Sequence, residues 1–140
     1  MIRRIVVPVD FSEASHRAAR YVLDELAPPL GAEVVLVTVR DASDLRTAMK
    51  AGLHGFDTDE ELHAQVEQWI EEQFAKIGGT ARRDVRRGLV EREILEGITE
   101  HEADLVVMGA VGITKRFPIG SKAEYVLRHV DVPLLLVKEA

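Results

Sequence analysis

The sequence predicts an α/β protein with a doubly wound parallel sheet of five strands and helices on both faces. Three observations carry the prediction. Short runs rich in β-branched residues, Ile2–Val9 and Glu33–Val39 above all, are apolar almost without interruption, as strands covered on both faces are. Stretches with apolar residues at helical spacing alternate with these runs. Each strand therefore reaches the next through a helix, and such crossovers between parallel strands are right-handed.

Ile2–Val9, IRRIVVPV, meets Asp10-Phe11-Ser12 and reads as a buried strand followed by a turn, with Ser12 placed to cap the next helix. In that helix Ala14, Ala18, Tyr21, Val22 and Leu26 share a face, and the two prolines of APPLG, Ala27–Gly31, are expected to stop it. Glu33–Val39 is the second strand. Arg40–Asp57 has weak periodicity and two glycines, and is expected to be the one long loop between elements. Loops of that length tend to be functional or mobile. Thr58 and Glu61 form a capping box for a long helix with Leu62, Val66, Trp69, Ile70, Phe74 and Ile77 on one side, ended by Gly78-Gly79. A short third strand is expected over Asp84–Arg87. Gly88 punctuates the join to a helix over Glu91–His101, with Ile94, Leu95 and Ile98 facing inward. Asp104–Met108, Gly120–His129 and Val132–Lys138 complete the series as strand, helix and strand.

At 140 residues, 46% apolar and 30% charged, the chain is expected to form a single domain, 1–140, with its own core. A formal net charge of −6 argues against partnership with duplex nucleic acid or an anionic membrane, so any anion must be held locally. With no cysteine there is neither a disulfide framework nor a thiolate ligand or nucleophile. The start MIRRIVVPVDFSE does not read as a signal peptide, and no apolar run approaches the ~20 residues of a membrane span. A cytoplasmic location is the expectation.

Ligands in such sheets bind beyond the carboxyl ends of the strands, where the strand order reverses. Gly109-Ala110-Val111-Gly112 follows a strand directly and Gly120-Ser121 opens a helix, with Lys115, Arg116 and Lys122 close by in sequence. Glycines let a backbone approach a ligand, and a helix N-terminus attracts phosphate through its free N–H groups and dipole. The segment reads equally as a strand-to-helix loop that needs positive φ angles. Asp10, at the end of the first strand, could accept from an adenine amino group or a ribose hydroxyl, or could organise the turn at Ser12. Val39 could offer backbone groups to a base edge.

Other constellations carry less. The arginines of ARRDVRRGLVER read as a solvated edge. His16, His54, His63, His101 and His129 show no ligand spacing with a carboxylate on a shared face, and no metal site is expected. Ser12, Ser15, Ser43 and Ser121 lack a nucleophile-elbow context, and no Walker lysine follows a glycine loop.

Taken together, IVVPVDFSEAS, VVLVTVRD, GLVEREIL and ADLVVMGAVG with GSKAEYVLRHVDVPLLLV resemble the universal stress protein family over nearly the whole chain. The resemblance implies the strand order 3-2-1-4-5 and, in one branch of the family, ATP at the switch point. Carried over residue by residue, it puts adenine near Pro8, Val9, Asp10 and Val39, and the ribose and phosphates at Gly109, Gly112, Gly120 and Ser121. Ser12, Met108, Lys115, Arg116 and Lys122 complete the expected site. The cofactor implied is ATP or another adenine nucleotide such as AMP, with or without Mg. The resemblance also implies a homodimer through Val132–Lys138, and an apolar edge strand calls for a partner on physical grounds.

Two departures stand out. The ATP-binding branch has nine residues between the second glycine and Gly-Ser, whereas only the seven of ITKRFPI separate Gly112 from Gly120. The difference removes up to ~7 Å of contour from the phosphate loop. Phe11 stands where glycine is common, and is expected to crowd the adenine side slightly. The sequence thus points to a stress-response regulator that binds an adenine nucleotide and is not a metabolic enzyme. The alternative is a dimeric interaction module that binds no nucleotide and engages a further protein through its dimer surface and Arg40–Asp57. A slow ATPase using Asp10 or Asp41 has no residue that fixes a metal.

Overall fold

The fold, taken from a computed structural model describing residues 1–110 and 119–138, is a five-stranded parallel sheet in the order β3-β2-β1-β4-β5. Its strands are β1 Arg4–Pro8, β2 Glu33–Arg40, β3 Arg82–Arg87, β4 Leu105–Ala110 and β5 Leu134–Lys138. The helices are α1 Glu13–Tyr21, α2 Ala27–Leu30, α3 Asp44–Ala51, α4 Asp59–Ile77, α5 Val90–Glu100 and α6 Ser121–His129. The expected fold class and strand order are those observed.

Side chains alternate across a strand, so β1 serves two cores. Ile5, Val7 and Val9 point to a layer formed with α1, α3 and α4, where Ala18, Val22, Ala48, Val66, Ile70 and Phe74 are buried. Val6 points the other way, with Val35, Val37, Val106 and Met108, onto Ile94 and Ile98 of α5 and Ala123 and Val126 of α6. The outer strands are less protected. β3 carries Arg82, Arg83 and Arg87 on its surface, and Leu135 of β5 lies exposed on the opposite edge.

Four local expectations are corrected. The prolines of APPLG do not end the first helix. Pro28 and Pro29 cannot donate backbone N–H groups. The chain widens into a π-helical turn over Val22–Leu26, in which the Ala27 N–H reaches back to the Val22 carbonyl, and the prolines then occupy the first turn of α2. Gly31, at φ 61°, ends the helix there. The presumed loop Arg40–Asp57 contains α3, closed by Gly52 at φ 73°. β3 begins two residues early, at Arg82, because it pairs with β2 from Val35↔Arg82 to Arg40↔Arg87. In α5 the inward positions are Ile94, Gly97 and Ile98, while Leu95 is only half-buried.

Candidate functional site

The carboxyl ends of β1, β2 and β4 open into a cleft of about 540 Å³, closed at its sides by α3, α4 and α6. One wall begins at the turn between β1 and α1. Asp10 Oδ1 accepts from the Ser12 N–H at 3.0 Å and from Ser12 Oγ at 2.5 Å, an Asx-type turn. Ser12 Oγ in turn caps α1 by accepting from the Ser15 N–H at 3.2 Å, and Ser15 Oγ donates to the Ser12 carbonyl at 3.1 Å. Partial desolvation opposes ionisation of Asp10, but the Ser12 and Ser15 hydrogen bonds and the charge of Lys122 outweigh it and hold the carboxyl below its ordinary value. Asp10 is therefore a carboxylate whose Oδ2 is not engaged by a hydrogen bond among the described residues.

Phe11 between them has φ 65°, a left-handed conformation that costs a side chain about 1–2 kcal/mol. Its ring repays this against two aromatic edges, with centroids 5.5 Å from Trp69 and 5.2 Å from Phe74. The residue lines the cleft but turns its ring onto α4, which is the physical reason that it can stand where glycine is common.

Beside this turn lie the end of β4 and the start of α6. Gly109 has a packing reason for being glycine. A Cβ built on it would lie 2.6 Å from the Ala14 carbonyl carbon and 2.7 Å from its oxygen, so β4 could not approach α1 as it does. α6 starts at Ser121 with Gly120 as its N-cap and no side chain capping it, which leaves first-turn N–H groups facing the cleft beside Lys122.

Of the residues expected at the site, Pro8, Val9, Asp10, Ser12, Val39, Met108, Gly109, Gly120, Ser121 and Lys122 all line this cleft. Gly112, Lys115 and Arg116 lie outside the described residues. Sequence reasoning missed most of the α3 side: Arg40, Thr47 and Lys50 line the cleft, together with Asp41, which it weighed only for a slow ATPase, and Trp69, which its spacing assigns to the core. It also missed two pairings made by the fold. His63 Nδ1 hydrogen-bonds Asp44, and His101 Nε2 lies 2.7 Å from Asp84 Oδ2. Each histidine meets a carboxylate from a different element, which spacing within one segment cannot reveal. Among the described residues no group of three metal-ligating side chains forms, and no helix is long and apolar enough to cross a membrane.

Fold and cleft define a doubly wound α/β protein with a largely apolar cleft, carrying a few polar and charged groups, at its topological switch point. The particular family follows from comparison with known proteins. A sequence model described as the universal stress protein family matches residues 1–138, and the chain belongs to that family of stress-response proteins. It is 30% identical to universal stress protein MJ0531 of Methanocaldococcus jannaschii, over 99% of this chain and 84% of the relative. Among solved structures, MJ0577 superposes with a TM-score of 0.70 at 23% identity, covering 100% of this chain and 98% of the other. A universal stress protein in complex with cAMP gives 0.66 at 21% identity, with 99% and 98% covered. A family protein from Arabidopsis thaliana with AMP bound gives 0.64 at 13% identity, with 99% and 92% covered. At these identities the structural likenesses bear on the fold alone.

Proposed function

We propose that this chain binds an adenine nucleotide, ATP or AMP, in the cleft at the carboxyl ends of the strands, and acts as a cytoplasmic regulator and not as a metabolic enzyme. The observation that carries the reading is the set of polar groups that an otherwise apolar cleft brings together. An ionised, turn-locked carboxylate, Asp10, and the start of α6 with Lys122 both line it. A carboxylate suits ribose hydroxyls or an exocyclic amine, while N–H groups and an ammonium suit phosphate. Family members with cAMP and AMP bound support the same ligand class. Any Mg would arrive on the phosphates, with Asp10 or Asp41 as the carboxylates within reach of the cleft. The exposed Leu135 on the edge strand β5 supports a homodimer through that strand.

Calorimetric titration of ATP, AMP and cAMP into protein stripped of small molecules by unfolding and refolding tests the reading. Lys122→Ala is expected to weaken the tightest of them about tenfold, the worth of one charge-assisted hydrogen bond. Asp10→Ala should weaken binding as well. No binding by the parent protein would refute the reading. It would favour the interaction module, to which the seven-residue spacing between Gly112 and Gly120 also points.

A further inference from the structure

Asp44, the first residue of α3, is the one charged residue in the buried core among the described residues. Its side chain is 0% exposed, and groups from three other elements converge on it. Arg40 at the end of β2 donates from Nε at 3.1 Å and Nη2 at 2.8 Å, Arg87 at the end of β3 approaches to 3.2 Å, and His63 of α4 completes the set. Glu67 of α4 stands 3.7 Å from the far side of the Arg40 guanidinium. A buried ion network contributes little net stability because desolvation consumes most of the attraction, but its bonds admit one geometry.

That geometry governs the cleft. With Asp44 pinned and Ala48 buried one turn on, α3 presents Thr47 and Lys50 to the cleft and leaves Leu45 and Met49 exposed. The nucleotide reading puts the phosphates at the start of α6 beside Lys122, and a nucleotide so held extends its base toward the end of β2, Trp69 and α3. Lys50 is donor-only and can meet N1 of adenine or O6 of guanine, so it holds a purine edge without choosing between the two. The choice falls to Thr47, whose hydroxyl donates to the Ser43 carbonyl at 3.5 Å and so faces the base as an acceptor, suited to the N6 amine of adenine and not to the O6 that guanine carries at that position.

We infer that α3 is the base-selecting wall of the cleft: Thr47 and Lys50 contact the base of a bound purine nucleotide, and the Asp44 network is the device that holds them in place. The inference rests on the nucleotide reading above. Asp44 is thus a positioning residue, acting through α3.

The test is titration of AMP and GMP into the full chain and four variants: Thr47→Val/Lys50→Ala, Asp44→Asn, the triple combination, and His63→Ala. The double variant is expected to lose about tenfold in AMP affinity and to narrow the AMP-to-GMP ratio. Asp44→Asn should do the same in the parent and add nothing in the double-variant background, because its effect runs through those side chains. If Asp44→Asn does not fold, His63→Ala, which removes an exposed partner of the same carboxylate, takes its place in the cycle. An unchanged AMP-to-GMP ratio in the double variant overturns the inference, as does a positioning effect that persists undiminished there. A parent protein that binds AMP while the α3 variants match it refutes the wall alone; a parent that binds no AMP refutes the nucleotide reading and the wall with it.

Discussion

Replacing Gly109 by alanine tests whether this glycine serves the packing of α1 on β4 or only a ligand. The added Cβ would sit 2.6 Å from the Ala14 carbonyl carbon, 2.7 Å from its oxygen and 2.9 Å from its Cβ. Carbon atoms rest about 3.5–4.0 Å apart, so α1 would have to retreat by about 1 Å. It cannot do so freely, because Ala18, Ala19 and Val22 on the same face are wholly buried in the core. Overpacking costs about 1–3 kcal/mol, and an obstacle made of backbone belongs at the upper end, about 3 kcal/mol. With a urea m-value of about 2 kcal/mol/M, the unfolding midpoint should fall by about 1.5 M. The single tryptophan, Trp69, half-buried against Phe11, reports the transition by fluorescence. Ala14→Gly in the variant background should not restore the midpoint, since backbone atoms make the two shortest contacts. A Gly109→Ala protein within about 0.5 kcal/mol of the parent would refute the packing argument and return Gly109 to a ligand role.

Three further outcomes follow from particular contacts. Phe11→Ala keeps the left-handed backbone and loses the aromatic edges, whereas Phe11→Gly loses only the edges; the glycine variant should be more stable by about 1 kcal/mol in urea unfolding, and equal stabilities would contradict the strain. Burial pushes the Asp84 carboxyl up, but hydrogen bonds from His101 and Arg86 outweigh it and hold it below its ordinary value. A depressed carboxyl contributes stability above its unfolded pKa and loses it as pH falls through the folded one. Asp84→Asn should therefore be less stable than the parent at pH 7, with the gap closing as pH falls below the ordinary carboxylate range, and a gap that stays constant into acid would count against the pairing. Arg86 bonds Asp84, Glu93 and Glu100 from β3, the last through two nitrogens, and lysine cannot reproduce that fork. Arg86→Lys should cost about 1–3 kcal/mol by thermal or urea unfolding, and a loss near zero would show the network to be solvated decoration.

The sheet was readable because burial on both faces leaves an apolar run wherever a strand lies, as in Ile5–Val9 and Val34–Val37. α4 was readable because its buried residues, Leu62, Val66, Ile70, Phe74 and Ile77, fall on one stripe. α3 was not. Its apolar residues Leu45 and Met49 face solvent, and its inner face is held by a carboxylate whose partners, Arg40, His63 and Arg87, come from three other elements. Nothing local in the segment announces that Asp44 will be buried. The π-helical turn escaped for a related reason: proline forbids particular hydrogen bonds, and a chain can shift its bonding register as well as stop. The strand-end residues of the site were found because topology alone brings such ends together.

Two residues at the cleft that invite a ligand explanation already have another. Gly109 is needed so that α1 can lie against β4, and Phe11 accepts a left-handed backbone to reach Trp69 and Phe74 on α4. Both contacts act on the same short stretch, the start of α1. The glycine admits that stretch to the sheet and the aromatic ring ties it to the helix across the way. The turn carrying Asp10, Ser12 and Ser15 is thereby held from two sides before any ligand arrives, and its hydrogen bonds need not reorganise on binding. A preorganised acceptor binds with less entropy lost than one on a free loop. It follows that Phe11→Gly, which releases the tie to α4, should weaken a ligand held by Asp10 even though it adds room. The simple crowding argument predicts the opposite sign, so a titration of AMP into that variant decides between the two.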